Sequence, residues 1–121
     1  MIKVIIDRAK WDRGISRIGK RALLNEQGGK CCLGFVCNAL GFSDEEIQNI
    51  FTPRLLFKKT KNSKLNSLID EDNFHNPNTH HAMSANDSES LSEKDREYLI
   101  ASNLAKIGFD VEFVGEGKWK P

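Results

Sequence analysis

An apolar segment between residues 32 and 40 restricts the fold of this chain more than any other feature. Its apolar side chains recur three and four positions apart, and Gly41 follows the last of them. The segment contains Leu33, Phe35, Val36, Cys37, Ala39 and Leu40. This spacing predicts an α-helix, and glycine commonly follows a helix end. Because the helix is apolar around much of its circumference, other elements must cover it.

The remaining periodic segments predict an α+β domain around this helix. Residues 1–6 and 109–113 alternate as strands do, and Ser92 is placed to begin an amphipathic helix over about 93–107. A chain of 121 residues with 39% hydrophobic residues supports one core. We therefore expect a compact single domain over 1–121, in which a small sheet packs against the buried apolar helix and the amphipathic C-terminal helix.

Weaker signals organise the middle and the end of the chain. Residues 22–31 predict a short strand, a glycine-containing turn and a return. Ser43 begins a capping-box pattern, which predicts a second helix to about Ile50. Residues 58–90 are rich in Lys, Asn, Asp, His and Ser and predict a long loop region, and 115–121 predicts a loose tail.

Charge is distributed unevenly although the net charge is only +1. Residues 1–30 carry eight basic and three acidic side chains, 52–64 carry five basic ones and no acid, and 70–97 carry eight acidic and two basic ones. The two basic segments would attract phosphate if they met in space; the alternative is that they are solvated and pair with the acidic segment. The small net charge and the lack of a recognition motif disfavour nucleic acid as a partner.

The three cysteines, Cys31, Cys32 and Cys37, fall within seven residues. An odd number at such short spacing does not fit a disulfide framework, so we expect reduced thiols that pack as small hydrophobes. The apolar run Val4–Ile6 is too short for a signal sequence or a membrane span. These observations predict a cytoplasmic protein without a membrane partner.

A glycine-containing turn before the apolar helix is a candidate anion site. Gly29 and Lys30 precede the helix N-terminus, where unpaired amide groups and the helix dipole favour a phosphate, and Lys20 and Arg21 add positive charge nearby. The full P-loop pattern is absent. The commoner explanation of a Gly-Gly pair is a turn that joins two elements.

Residues from two segments complete the predicted ligand site. Asn86 and Asp87 suit hydrogen bonding to ribose hydroxyls or a base edge, although such residues more often cap turns and helices. Cys32 stands at the start of the apolar helix. The predicted ligand-binding residues are Arg21, Gly29, Lys30, Cys32, Asn86 and Asp87.

An enzymatic alternative uses the same helix. The Cys-x-Gly-Phe-Val pattern from Cys32 resembles the nucleophile helix of papain-like cell-wall endopeptidases, with Cys31 where an acidic residue is usual. A helix N-terminus lowers a thiol pKa, and the required base would come from His75, His80 or His81, of which His80 and His81 are the predicted ones. The alternative is that these thiols belong to the core. The Cys and His spacings do not match a metal site, so no metal is predicted, and no cofactor motif is found.

The motif Cys-Cys-Leu-Gly-x-x-Cys over residues 31–37 resembles a group of small, mostly uncharacterised phage and prophage proteins. Those chains also share a leading Leu before a short turn, a Pro with apolar neighbours, an Asn-Asp pair and a closing amphipathic helix. The matches here are 23–24, 53–56, 86–87 and 93–107. The insertion at 58–80 departs from their pattern. The resemblance implies a phage accessory protein in the cytoplasm of its host cell.

Such accessory proteins often counter host defence, and a protein that traps a nucleotide signal needs only a pocket, amide donors, a few cations and an aromatic ring. We therefore expect this chain to bind and sequester a small phosphate-bearing ligand, such as a cyclic nucleotide or an ADP-ribose derivative, without being an enzyme. The alternatives are a cysteine hydrolase or phosphodiesterase acting on that signal, and a protein-binding inhibitor of a host factor. A homo-oligomer is compatible with each.

Overall fold

The computed structural model describes residues 1–15 and 21–121, which form two strands and five α-helices. Short 3-10 turns cover Arg8–Lys10 and Ser63–Leu65. In chain order the main elements are β1 (Ile2–Asp7), α1 (Cys32–Ala39), α2 (Asp44–Ile47), α3 (Pro53–Thr60), α4 (Pro77–Asp87), α5 (Glu93–Ala105) and β2 (Phe109–Val114).

The sheet consists of β1 and β2, which run parallel. Ile2 lies opposite Phe109 and Asp7 opposite Val114. On the inner face of the sheet, Val4 and Phe109 are fully buried, and burial becomes partial towards the end of β2. One strand packs on α1 and the other on α5. The prediction of an α+β domain, with a small sheet against the apolar helix and the C-terminal helix, is confirmed.

Helix α1 occupies the centre of the core, as its sequence predicts. Its first six residues, from Cys32 to Cys37, are all buried. Gly41 follows the helix end with a φ of +101°, a left-handed conformation that favours glycine. A Cβ at Gly34 would collide with the backbone carbonyl of Leu23, so α1 approaches segment 22–24 more closely than a larger residue would allow.

The prediction of one long loop over 58–90 is wrong in the structure. Helix α3 continues to Thr60, and α4 begins at Pro77. Asn76 caps α4 by accepting a hydrogen bond from the Thr79 amide at 2.9 Å. The buried side of α4 consists mainly of small side chains, including Ala82 and Ala85, so hydrophobic contrast is weak there.

The second helix is shorter than its sequence predicts. The capping box at Ser43 is present, with Glu46 at the third helical position, but α2 ends at Ile47. Asn49 has a φ of +62°, which is incompatible with continuing the helix.

The tail after β2 has no regular structure, yet it is attached to the domain. Arg8 donates a hydrogen bond to the Gly115 carbonyl and Arg13 donates one to the Gly117 carbonyl. The indole of Trp119 lies directly against Gly29. The prediction of a loose tail over 115–121 is therefore wrong for the residues that make these contacts.

None of the helices formed by the described residues is long and apolar enough to cross a membrane.

Candidate functional site

A cavity of about 340 Å³ opens beside the N-terminus of α1. The end of α4 and the residues just before α3 form two further sides. We call it the Asn86 pocket. Four of the six predicted ligand-binding residues line it: Arg21, Cys32, Asn86 and Asp87.

The walls of the Asn86 pocket are mostly apolar. The polar groups are concentrated in Arg21, Thr52, Asn86 and Asp87. A predominantly apolar cavity with a few convergent polar groups is the usual form of a small-molecule site. The apolar side chains are Leu23, Leu33, Phe51 and Met83, beside the thiols of Cys31 and Cys32.

The side chain of Asn86 forms hydrogen bonds with several of the segments around the pocket. Its side chain is almost fully buried, and its Oδ1 accepts hydrogen bonds from the Trp11 indole Nε1 at 2.7 Å and from the Cys32 amide at 3.0 Å. Its Nδ2 donates to the Asp12 carbonyl at 3.2 Å and to Asp87 Oδ1 at 3.0 Å. An amide side chain has two donors and two acceptor positions, so all of them are used within the protein. Asn86 therefore positions the site and has no group left for a ligand.

Arg21 is fixed between two carboxylates. Its Nη1 donates to Asp87 Oδ1 at 2.6 Å, and its Nε and Nη2 each lie 3.3 Å from an oxygen of Asp12. Nη2 also donates to the Gly14 carbonyl at 2.8 Å. Burial alone would lower the pKa of Arg21, but the hydrogen bond to Asp87 and the charges of Asp12 and Asp87 outweigh it and raise that pKa. The guanidinium is thus already neutralised, and only one of its five N–H groups has no partner among the described residues.

Asp87 is the most accessible polar group of the pocket, with 53% of its side chain exposed. Its Oδ1 receives both hydrogen bonds described above. No donor from the described part of the chain reaches its Oδ2. With respect to the described residues, this oxygen can therefore accept a hydrogen bond from a ligand.

Cys32 is not placed as a nucleophile. Its side chain is fully buried, and its Sγ lies 3.8 Å from the Ala82 carbonyl. Burial raises the pKa of Cys31 to about 11 and that of Cys32 well above its ordinary value. The expected effect of the helix N-terminus on the thiol pKa is therefore outweighed by desolvation.

The histidines of the enzymatic alternative lie elsewhere. His80 and His81 are on exposed positions of α4, with ring centroids 6.2 Å apart. No hydrogen bond between Cys32 and either histidine exists among the described residues. The structure does not bring together the thiol and base that a cysteine hydrolase needs. Within residues 1–15 and 21–121, no group of three His, Cys, Asp or Glu side chains is arranged to hold a metal ion.

Lys30 and Gly29 do not line the Asn86 pocket, in contrast to the prediction. The Lys30 ammonium lies 2.9 Å from Asp44 and 2.8 Å from Asn38 Oδ1. Gly29 closes a turn with Asn25, whose amide donates to the Gly29 carbonyl at 2.8 Å, and Trp119 covers it. Gly29 therefore belongs to a turn that joins two elements, which is the structural alternative given above for the Gly-Gly pair. Lys30 is the residue that follows this turn. Lys20, predicted to add charge here, lies outside the described residues.

Sequence reasoning missed several residues of the site. Asp12, the buried partner of Arg21, lies in a segment without periodicity, and no local signal marks it. Met83 lies three positions before Asn86 on α4, so the Asn-Pro pair at 76–77 would have placed both on one helix. Phe51 and Thr52 precede Pro53, which marks the start of α3.

No protein-family model matches the chain, and no curated protein or solved structure matches it either.

Proposed function

We propose that this protein binds a small phosphate-bearing ligand of nucleotide type in the Asn86 pocket and sequesters it unchanged. The observation that carries the proposal is the pocket itself: about 340 Å³, with mostly apolar walls and a few polar groups. This volume lies within the range of about 300–1,000 Å³ that is usual for small-molecule sites.

The apolar walls suit the base of a nucleotide. Leu33 and Met83 offer aliphatic surface, and Phe51, whose side chain is partly exposed, offers an aromatic ring at the edge. A planar base buries apolar area against such walls and stacks favourably on an aromatic ring.

The phosphate has two sources of attraction beside the pocket. Arg21 contributes little, because Asp12 and Asp87 already balance its charge. Helix α1 begins at Cys32 and α3 begins directly after Thr52, so two helix N-termini lie at the pocket walls. Each carries a partial positive charge of about half an elementary charge. The dipoles supply this attraction rather than free amides, since the first amides of both helices already donate to side chains of the protein.

Sequestration without turnover agrees with the chemistry of the pocket. Its thiols are buried and protonated, and the described lining residues contain no histidine or other group poised as a general base for them. The resemblance of residues 31–37 to small phage proteins supports a nucleotide immune signal as the ligand and a host defence system as the target.

A panel of linear and cyclic nucleotides and ADP-ribose derivatives tests this proposal. We expect at least one to raise the melting temperature of the protein and to be recovered intact by chromatography after denaturation. Met83→Trp, which fills the pocket, should abolish the shift, whereas Leu99→Trp on α5 should retain it. A consumed ligand would make the protein an enzyme, and no shift at high micromolar concentration would refute the proposal.

A second function is supported by an exposed groove near the start of β2. Met1 and Tyr98 expose 78% and 70% of their surface, and they line a cavity of about 360 Å³ together with Ala101 and Ala105. Large exposed apolar side chains are typical of protein-binding surfaces, as a protein-binding inhibitor of a host factor requires. Such an inhibitor should retain a specific protein from host lysate, and Tyr98→Asp should release it.

A further inference from the structure

We propose that Asp87 recognises ribose hydroxyls, so that the Asn86 pocket selects ribonucleotides over their deoxy counterparts. This inference rests on the proposed function and specifies the part of the ligand that contacts the polar wall. It depends on the hydrogen-bonding groups of Arg21 and Asp87 that are bonded to no described residue.

Asp87 is held in place before any ligand arrives. It is the last residue of α4, and its Oδ1 is fixed by Arg21 at 2.6 Å and by Asn86 at 3.0 Å. Asn86 is in turn buried and bonded to Trp11 and Cys32. An acceptor that is already oriented loses little conformational entropy on binding. Asp87 Oδ2, to which no described residue donates, is such an acceptor.

The polar wall selects against acceptor-only groups. Arg21, Asp12 and Asp87 together carry one positive and two negative formal charges. A phosphate has only acceptor oxygens and negative charge, so contact with Asp87 would be repulsive. A hydrogen-bond donor is favoured at the same position.

A sugar hydroxyl matches both groups that remain. It donates through its O–H and accepts through its oxygen. Asp87 Oδ2 provides the acceptor, and the second N–H of Arg21 Nη1, bonded to no described residue, provides a donor beside it. Carboxylates commonly bind ribose hydroxyls in other nucleotide sites. The base then enters the apolar part of the pocket, and the phosphate lies towards the helix N-termini.

The test compares the best ligand of the panel with its 2′-deoxy and 3′-deoxy analogues and with an analogue lacking the exocyclic amine of the base. Isothermal titration should show at least about tenfold weaker binding for one of the deoxy analogues, since a hydrogen bond to a charged group is lost. The amine-free analogue should bind within about twofold of the parent. Equal binding of ribose and deoxy forms, with the parent still bound, overturns this inference and leaves the proposed function intact.

Two variants test whether the preference for the ribose hydroxyl comes from Asp87. In Asp87→Asn the preference for the hydroxylated ligand should fall to about twofold or less, whereas Asp110→Asn, an exposed acid paired with Lys3, should keep it. The comparison of analogues on the unaltered protein does not depend on how well Asp87→Asn folds. A preference that persists in a folded Asp87→Asn protein overturns the assignment to Asp87. Loss of affinity for the amine-free analogue alone would show that the base edge, not the ribose, contacts this wall.

Discussion

At the scale of single residues, the core of this protein depends on a polar side chain as much as on apolar ones. Asn86 joins the indole of Trp11, the first amide of α1 and the carbonyl of Asp12 in the interior. Since a buried amide group without a partner is costly, each of these bonds restricts which packing of the three segments is tolerated.

Replacing Asn86 with alanine should therefore destabilise the fold strongly. The variant leaves the Trp11 Nε1–H and the Cys32 amide without their acceptor, and each orphaned donor costs about 1–3 kcal/mol. We expect a loss of about 2–5 kcal/mol in the free energy of unfolding measured by urea titration. Asn66→Ala, at an exposed position, should change it by less than about 0.5 kcal/mol. An Asn86→Ala protein as stable as the parent would contradict this role.

The buried thiols predict a limit of stability at high pH. Because burial raises the pKa of Cys31 from 9.0 to about 11, the native state disfavours the thiolate that the unfolded state readily forms. This contribution is fully present below about pH 9 and is lost as the pH rises through about 11. Thermal melts between these pH values should show a falling melting temperature, and Cys31→Ala should weaken that dependence.

The same burial predicts slow modification of the cysteines. At neutral pH, iodoacetamide should label the folded protein at least about a hundredfold more slowly than the urea-unfolded protein. Mass spectrometry of the labelled peptides gives the rate for each thiol. Rapid labelling of Cys32 in the native state would instead indicate an accessible nucleophile.

At the scale of elements, helix α4 is stabilised at both ends by polar groups. Asn76 caps its start. The buried Arg96 of α5 donates to the carbonyls of Ala85, Asn86 and Ser88 at 2.7, 3.1 and 2.8 Å. A cation at a helix C-terminus also interacts favourably with the helix dipole. These polar contacts stabilise a helix whose small buried side chains provide little hydrophobic stabilisation by themselves.

Arg96→Met tests this contribution. The methionine retains much of the apolar stem but removes the donor of the Ala85 and Ser88 carbonyls, whereas the Asn86 carbonyl keeps the Gly14 amide. It also removes a buried partner of Glu93. We expect a destabilisation of about 3 kcal/mol, comparable to breaking a buried charged pair. Lys94→Met, at an exposed position of the same helix, is the matched control. A small effect of Arg96→Met would mean that water replaces the guanidinium at no cost.

Glu93 connects two arginines and predicts sensitivity to acid. Burial alone would raise its pKa, but the hydrogen bonds and charges of Arg13 and Arg96 lower it from the ordinary value of 4.5. A lowered pKa stabilises the folded state above pH 4.5, and this contribution disappears as the pH falls through the folded value. Unfolding measured from about pH 6 to about pH 3 should show a smaller loss of stability for Glu93→Gln than for the parent. Glu89→Gln, which removes an exposed carboxylate, should retain the dependence of the parent.

The contrast between α1 and α4 explains which elements the sequence predicts. Helix α1 and both strands carry strong hydrophobic periodicity, and each appears where the pattern places it. Helix α4 buries Thr79, Ala82 and Ala85, and its stability comes from caps and from Arg96, which is distant in the sequence. Local composition therefore favoured a loop, although the Asn-Pro pair at 76–77 was a usable signal.

The candidate site was predictable only in part for a related reason. The chemistry of Arg21, Asn86 and Asp87 predicts them as site residues, and the fold brings them together. Lys30 is equally plausible by chemistry, yet it binds Asp44 and does not line the pocket. Which cations remain free depends on long-range pairing, and short motifs contain no information about it.

At the scale of the whole molecule, the sheet joins segments that are far apart in the chain. Ile2 and Phe109 are paired although 107 positions separate them. Helix α1 packs on β1 and α5 packs on β2, and both helices belong to the intervening chain. Pairing strands so far apart raises the conformational-entropy cost of closing the chain between them. We therefore expect slower folding than for a helical bundle of similar size.

Truncation should separate the contribution of the sheet from that of the tail. A chain ending at residue 107 lacks β2 and leaves the hydrogen-bonding edge of β1 and its buried side chains uncovered, so we expect no cooperative thermal unfolding. A chain ending at residue 119, which keeps Trp119 over Gly29, should melt within a few degrees of the parent. Circular dichroism measures both. A cooperative transition in the shorter chain would show that the helices fold without the sheet.

The pairing of β1 with β2 also has a consequence during synthesis. While a ribosome translates the message, β1 emerges early and its partner emerges roughly a hundred residues later, which at about 5–20 residues per second means a delay of several seconds. Throughout that time the nascent chain exposes an unpaired strand edge to chaperones and proteases. A premature stop codon anywhere before β2 would therefore release a product that the quality-control machinery of the cell can recognise and remove.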